Sequence, residues 1–352
     1  MSRRIDSDLL LVGSLPVENT EEAFRYGTEY FGDLTFALPD GETGARQGWV
    51  SYERERLARP TAGVAVVEET QSPTGLPRHA FETPIFGLED GVTEIEFGSW
   101  PRIDDAIESY EVFRKLKDEG VVDKGMRFQI GLPFPLSALN AFKADFAHDY
   151  PIVERAFEEL VGREIDRLLE TIPATELAIQ WDCAYETQDI EGVVSWFPKD
   201  GAWERFTGPV SRLTANIPED VLVGYHLCYG TFPEWPMYEP QGMDIVVKMA
   251  NHALANSGRR IDWLHLAGSR YFRSEDERFY KPLEDLELGD ARLFLGIILP
   301  LDGEAGAKRR HATASQYVDD FGVAMYCGFG RQRGFDGIET MQEHRDTVKA
   351  IA

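Results

Sequence analysis

The segment Gly224-Tyr-His-Leu-Cys-Tyr-Gly230 places a histidine and a cysteine two residues apart, at His226 and Cys228. On a β-strand, residues two apart point to the same side, so both side chains could bind one ligand. A third soft donor, Cys327, lies in the last strand-like run of the chain. Imidazole and thiolate favour zinc over the oxygen-preferring cations, and three protein ligands leave one position free for a substrate. These residue types and their spacing predict a catalytic zinc ion.

The elements that would position these donors alternate along the chain, because strand-like apolar runs are separated by amphipathic helical patterns. The helical patterns include Ile152–Thr171, Met243–Asn256 and Ala305–Asp320, where apolar residues return every three or four positions. Eight strands alternating with helices predict an α/β fold, a (β/α)₈ TIM barrel. The predicted strands are Leu9–Leu15, Leu34–Leu38, Met126–Leu132, Glu176–Asp182, Val221–Cys228, Ile261–Leu266, Arg292–Leu299 and Val323–Cys327.

One long segment interrupts this alternation between the second and third predicted strands. Residues 39–125 hold Gly- and Pro-rich pieces, two β-like runs at Val64–Val67 and Val92–Phe97, and a helical pattern at Ile103–Glu119. Structureless loops of that length are uncommon in compact domains, so we expect an inserted cap at the barrel mouth. The sequence shows no linker or internal repeat, and residues 1–352 are expected to form a single barrel domain.

The predicted barrel would bring the three soft donors together. Active-site residues of such barrels cluster at the carboxyl ends of the strands, which is where His226, Cys228 and Cys327 fall. The alternative for each residue is ordinary burial, as a hydrogen-bonded core histidine or a small apolar cysteine. Their joint position at the ends of the fifth and eighth strands favours the metal site.

Composition excludes several classes of partner. The formal net charge of −25 and the pI of about 4.7 would repel a nucleic acid backbone, and no basic stripe offsets them. The apolar runs are too short to span a bilayer, and no export signal is evident. The three cysteines are too few for a disulfide framework, which favours the cytoplasm. The oligomeric state is not indicated.

Several motifs resemble, in the same order and over almost the whole chain, the catalytic barrel of the cobalamin-independent methionine synthases. This barrel is related to uroporphyrinogen decarboxylase and is shared with other zinc-dependent thiol alkyltransferases. The similar segments are Val12-Gly-Ser-Leu-Pro16, Asp40-Gly-Glu-Thr-Gly-Ala-Arg46, Ile130-Gly-Leu-Pro-Phe-Pro-Leu-Ser137, Gln180-Trp-Asp182, His226-Leu-Cys-Tyr229 and Cys327-Gly-Phe-Gly-Arg331. The resemblance implies that His226, Cys228 and Cys327 bind Zn²⁺, and that the metal activates a thiol to displace an alkyl group from its donor.

Three departures from that family predict a different substrate. No carboxylate stands in Trp263-Leu-His-Leu-Ala-Gly-Ser-Arg270, where the family has a Glu zinc ligand. His265 is the candidate fourth ligand there; the alternative is that it supports another ligand or packs in the core. Cys183 replaces a Glu that holds the amino group of homocysteine. The family's proton-donating His is also missing, which leaves Asp302 as a catalytic candidate there. We therefore expect another small-molecule thiol or another alkyl donor.

Further site candidates follow from position. Asp182 and Glu186 stand at or just past the fourth strand, where an acid–base role or a capping role is open to each. The substrate-binding candidates include Glu42 and Arg46, which could bind a carboxylate or phosphate or form a salt bridge with each other. Ser14 in the first motif is another candidate. The aromatic residues Tyr229 and Trp235 could wall a pocket or pack in the core.

Three functions remain compatible with the sequence. The first is a zinc-dependent transferase that moves a methyl or other alkyl group to a thiol. The second is a decarboxylase or lyase on the same barrel, and the third is a zinc-binding barrel without catalysis.

Overall fold

The computed structural model describes residues 5–48, 50–69, 84–230, 238–269, 275–299, 302–329 and 337–351. Its centre is an eight-stranded parallel sheet whose strands neighbour one another in the order β1-β10-β9-β8-β7-β6-β5-β2. The eight strands are β1 (Leu9–Leu10), β2 (Ala37–Pro39), β5 (Arg127–Pro133), β6 (Leu177–Cys183), β7 (Leu222–Leu227), β8 (Trp263–Ala267), β9 (Arg292–Ile298) and β10 (Gly322–Met325). β1 and β2 are the two edge strands of this sheet. Just beyond them, the backbone N–H of Leu15 donates to the Gly41 carbonyl at 2.9 Å and so connects one edge of the sheet to the other. The predicted TIM barrel is confirmed.

The helices surround this sheet. None of those in the described ranges is long and apolar enough to cross a membrane. They are α1 (Thr20–Phe31), α2 (Val50–Ala58), α3 (Pro101–Asp118), α4 (Pro135–Leu139), α5 (Phe146–Thr171), α6 (Tyr185–Ile190), α7 (Ala202–Thr214), α8 (Asp244–Asn256), α9 (Glu277–Tyr280), α10 (Gly303–Ala314) and α11 (Gly337–Ile351).

Two elements are shorter than their sequence patterns predicted. The first strand stops at Leu10, because the carbonyl of Leu11 accepts a hydrogen bond from the Gln129 side chain, at 2.7 Å, rather than from a neighbouring strand. Helix α10 stops at Ala314 rather than Asp320. There the backbone N–H of Gln316 donates to the Thr313 carbonyl at 3.2 Å and that of Tyr317 to the Ala314 carbonyl at 2.9 Å, so bonds three residues apart replace the helical ladder.

In its described residues, the predicted excursion 39–125 contains the helices α2 and α3 and one antiparallel pair of strands. Helix α3 packs against α1 and α5, so it belongs to the ring of helices around the sheet. Strand β3 (Val64–Glu68) pairs antiparallel with β4 (Ile85–Leu88). The β-like run Val92–Phe97 is not a strand: β4 already pairs with β3, and the run pairs with no other strand in the described part of the chain. Helix α2 packs against α4, which follows β5 at the barrel mouth.

The barrel interior is apolar at its amino-terminal end and polar towards its carboxyl end. Trp263 fills the apolar end, and it has room because Gly224, its partner across the β7–β8 ladder, has no side chain. The rest of that inner cluster is formed by Ile5, Leu10, Val12, Ala37, Ala178, Leu222, Phe294 and Ala324. Above it lie the buried side chains of Gln129, Gln180, Asp182, His226 and His265. The polar end is where barrels of this kind hold their sites.

Candidate active site

His226 and Cys228 lie at the carboxyl end of β7 and are both buried. His226 faces the barrel interior, level with Asp182 on β6 and His265 on β8. Cys228 follows directly after the strand, and its backbone N–H donates to the Cys183 carbonyl at 3.4 Å. That both side chains point to the same side stays a prediction from their spacing.

Cys327 comes to both of these residues from the end of β10. Its thiol hydrogen-bonds with that of Cys228, which together with burial raises the pKa of Cys228 well above its usual value. Burial lowers the pKa of His226, but Cys327, Asp182 and Glu42 outweigh burial and leave that pKa raised. The structure therefore brings His226, Cys228 and Cys327 together across the barrel mouth.

This donor set fits a zinc ion by its chemistry. It comprises one imidazole and two thiols, and the buried Nε2 atom of His226 makes no hydrogen bond to any described residue. Within the described ranges, no three His, Cys, Asp or Glu side chains stand at the spacing of a metal site. The thiol of Cys327 is instead at hydrogen-bonding distance from Cys228. The zinc ligands remain a prediction from residue type and position.

His265, the predicted fourth ligand, lies against His226. Their Nδ1 atoms are 2.5 Å apart, and the two rings stack with centroids 4.7 Å apart. Burial lowers the pKa of His265 well below its usual value, and the neighbouring His226 lowers it further. His265 is therefore a neutral imidazole with one nitrogen already engaged.

Two buried carboxyl groups, those of Asp182 and Glu42, stand beside His226. Burial raises the pKa of Asp182 to about 7, against the opposing effect of His226, and Glu42 raises it further. Asp182 accepts a hydrogen bond of 2.8 Å from Gln180 and occupies space left by Gly131, where a Cβ would lie 2.8 Å from its Oδ2 atom. Asp182 is thus a proton-holding group at the mouth.

Glu42 reaches the site through an unusual backbone conformation. Its φ of 49° lies in the left-handed region, directly after Gly41 with a φ of 80°. Such strain is uncommon for a residue with a side chain and is typical of functional sites. Arg102 of α3 donates to Glu42 at 2.8 Å and to the Gly131 carbonyl at 2.9 Å. Arg102 was not predicted from the sequence, where it is marked by no more than a charge beside the apolar residues that begin a helical pattern.

The other charged candidates are held in separate interactions. Arg46 pairs with Asp40 rather than with Glu42. Glu186 accepts hydrogen bonds from the backbone and hydroxyl of Ser137, at 2.9 and 2.6 Å, and burial raises its pKa to about 7. Glu186 thus connects α6 to α4.

The surroundings of Asp302 do not suit the catalytic role that was predicted for it. Arg310 forms two hydrogen bonds to its carboxylate, at 2.8 and 2.7 Å, and lowers the pKa of Asp302. A carboxyl group that is held ionised is a poor general acid. The contact with Arg310 therefore argues against the catalytic role predicted for Asp302.

Two of the remaining candidates, Ser14 and Tyr229, lie close to the ends of the strands. Ser14 lies directly against Gly328, where a Cβ would overlap the serine, so the chain after Cys327 is held close to β1. Tyr229 is fully buried, and its ring stands edge-on to Tyr238 at 5.8 Å. Trp235 lies outside the described residues.

Solved structures of other proteins have folds similar to this one. The chain is similar to a B12-independent methionine synthase from Shewanella sp. W3-18-1, solved with selenomethionine, with 12% identity and a TM-score of 0.56 over 94% of this chain and 85% of that one. It is also similar to a putative vitamin B12-independent methionine synthase from Listeria monocytogenes, with 16% identity and a TM-score of 0.56 over 94% and 84%. Both structures share the barrel fold of this chain. No protein-family model and no curated protein matches the sequence.

Proposed function

We propose that this protein is a zinc-dependent transferase that moves a methyl or other alkyl group to a small-molecule thiol. One observation carries the proposal: the Cys327 thiol meets Cys228 and His226 at the carboxyl end of a barrel. The motif resemblance and the methionine synthase-like fold support the same class of reaction. His226, Cys228 and Cys327 would hold the ion, which when bound would keep the substrate thiol as a thiolate at neutral pH.

The residues around these donors would prepare the thiol for attack. Asp182, level with His226 on the neighbouring strand, is positioned to accept the proton that the thiol gives up. Glu42, fixed by Arg102, raises the pKa of Asp182 and so favours the uptake of that proton. The new bond joins sulfur to the alkyl carbon, and the electron pair of the broken bond leaves with the donor. The buried walls of the barrel would exclude water from the attacking sulfur.

The acceptor thiol is expected to differ from homocysteine. Cys183 is fully buried among apolar residues between the sheet and the helices, and it provides no charge to a substrate ammonium. A thiol without that amino group would lose nothing by this replacement. The sulfur is the only substrate feature on which the proposal depends.

A screen of small thiols and methyl donors, homocysteine and methylfolate included, tests the proposal with zinc-loaded protein. Mass spectrometry should detect an S-alkylated product from at least one thiol, and Cys228→Ser should lower its rate by more than about 100-fold. Cys183→Ser is the matched control, since the side chain of Cys183 is buried in the apolar cluster between the sheet and the helices, and it should retain activity. Failure with every thiol, together with turnover of a carboxylic acid substrate, would favour the lyase. Inertness towards both would favour the non-catalytic barrel.

A further inference from the structure

Three buried oxygen atoms beyond the ends of β7 and β8 have no hydrogen-bond partner among the described residues. They are the hydroxyl oxygens of Tyr229 and Tyr238 and the Oε2 atom of Glu239. Tyr229 is fully buried and follows directly after Cys228, and its ring lies edge-on to that of Tyr238, with centroids 5.8 Å apart. Buried polar atoms without partners are rare and costly in folded proteins, so a ligand that bonded to these three oxygens would be stabilised.

The carboxylate of Glu239 is held in place by Ser269. Ser269 is fully buried two residues beyond the end of β8, and its hydroxyl donates to the Oε1 atom of Glu239. The Oε2 atom is the carboxylate oxygen that lacks a bond within the described part of the chain. A buried carboxylate is stabilised when a cation pairs with it. Since Glu239 as a whole is half-buried, this oxygen lies close beneath the surface.

The charge around these oxygens is negative. Burial raises the pKa of both tyrosine hydroxyls, and in each case the charge of Glu191 is the next cause, so this carboxylate lies near both of them. Glu191 in turn has the like charge of Asp244 beside it, which together with burial raises the pKa of Glu191. Two further carboxyl groups thus add to the field of Glu239, and the field favours a cation over a neutral group or an anion.

The number and kind of the oxygens favour an ammonium group over a metal ion. A primary ammonium has three N–H donors and no acceptor, which matches the three oxygens of Tyr229, Tyr238 and Glu239. Calcium takes about six to eight oxygen ligands, and within the described ranges no three His, Cys, Asp or Glu side chains stand at the spacing of a metal site. The two aromatic rings also attract a positive charge.

We propose that Tyr229, Tyr238 and Glu239 bind the primary ammonium group of an aminothiol substrate. This inference rests on the proposed transferase function and deepens it, because it gives the acceptor thiol a second feature besides its sulfur. Since Tyr229 follows Cys228 directly, the ammonium would be held beside the sulfur that takes part in the transfer. The amino group is bound beyond β7 and β8 rather than at Cys183 on β6, which carries no charge for it.

Propylammonium, which has no sulfur, tests the ammonium site in the full-length protein. NMR titration should show it binding at least about 10-fold more tightly than neutral propanol, because it makes hydrogen bonds to a charged group. Glu239→Gln keeps the shape of the side chain but removes its charge, and it should abolish this preference. Glu343→Gln at an exposed position of α11 changes the net charge equally and should leave the preference intact.

Three results of this titration would overturn the inference. They are equal binding of propylammonium and propanol by the unaltered protein, a preference for propylammonium that survives Glu239→Gln, and competition by potassium ions that is as strong as that of propylammonium itself.

Two further variants separate ligand binding from folding. Tyr229→Phe and Tyr238→Phe each remove a hydroxyl that has no bonding partner in the described ranges, so neither should unfold at a lower urea concentration than the unaltered protein. Both should weaken propylammonium binding about 3- to 10-fold. Lower stability with unchanged propylammonium binding would assign the hydroxyls a structural role and overturn the inference.

Alkyl transfer to a matched pair of thiols separates this inference from the proposed function. Cysteamine should be alkylated with a kcat/KM at least about 10-fold above that of mercaptoethanol, and Glu239→Gln should remove the difference. Equal rates for the two thiols would overturn the inference and leave the proposed transferase standing. If propylammonium binds through Glu239 but neither thiol is alkylated, the proposed function fails while the ammonium site stands.

Discussion

The guanidinium group of Arg102 donates to the carboxylate of Glu42 at 2.8 Å, and both side chains are almost completely buried. This contact joins the start of α3 to the strained turn after β2. Removing the arginine would leave Glu42 buried without its counter-charge, which is much costlier than losing an exposed ion pair.

Arg102→Met should therefore lower the free energy of unfolding by roughly 3 kcal/mol, measured by urea denaturation. Arg114→Met is the control, since Arg114 lies on the same helix with a side chain that is 58% exposed. That variant should change stability by less than about 0.5 kcal/mol. Equal small effects for the two variants would contradict the structural role given to Arg102.

A second prediction concerns Glu53 on α2. Burial raises its pKa to about 7, and the nearby carboxylates of Glu42 and Asp105 raise it further, against the opposing effects of Arg102, 3.5 Å away, and of the Trp100 indole. The unfolded chain ionises this group near 4.5, so folding takes up a proton between those values and stability falls as the pH rises. The slope due to Glu53 should approach about 1.4 kcal/mol per pH unit.

Glu53→Gln keeps an acceptor for the Trp100 indole, which donates to Glu53 at 3.0 Å, and removes this titration. Relative to the unaltered protein, the variant should gain stability as the pH rises from 5 to 7 in urea denaturation. Glu108→Gln removes an exposed carboxylate from α3 and controls for the change in charge. A constant difference across that pH range would contradict the assignment.

A third prediction separates structure from catalysis at Asp302. Asp302→Asn should cost about 2 kcal/mol at pH 7, because Arg310 is fully buried and loses its counter-charge. Since Arg310 lowers the pKa of Asp302 below 3.8, this stabilisation is present above that pH and is lost as the pH falls through the lowered value. Thermal unfolding at pH 3 and pH 7 measures both effects. A stable variant with abolished alkyl transfer would instead restore Asp302 as a catalytic residue.

A fourth prediction tests the packing beneath the site. Gly224→Ala would put a methyl group into the ring of Trp263, so we expect a loss of about 3 kcal/mol or more. Gly162→Ala is the matched control, because a Cβ on that exposed position of α5 would meet nothing within 4 Å. It should stabilise the protein by about 0.5–1 kcal/mol through helix propensity. Similar effects of the two changes in urea denaturation would contradict the filled interior.

The sequence predicted those parts of the fold that depend on local pattern. Apolar runs predicted the eight barrel strands, and His226 lies in β7 as its apolar run predicted, while Cys228 follows directly after that strand. Contacts between distant segments gave no such signal. The Arg102–Glu42 pair depends on how α3 packs against the turn after β2, and the Arg310–Asp302 pair depends on how the chain enters α10. Within the described ranges, the alternating run Val92–Phe97 has no partner strand.

Zinc content is the most direct test of the central claim. Elemental analysis of purified, zinc-loaded protein should find about one zinc ion per chain, and Cys228→Ser and Cys327→Ser should each lose most of it. Cys183→Ser should retain the metal, since that buried thiol lies between the sheet and the helices. Full zinc occupancy in both of the first two variants, or none in the unaltered protein, would contradict the account.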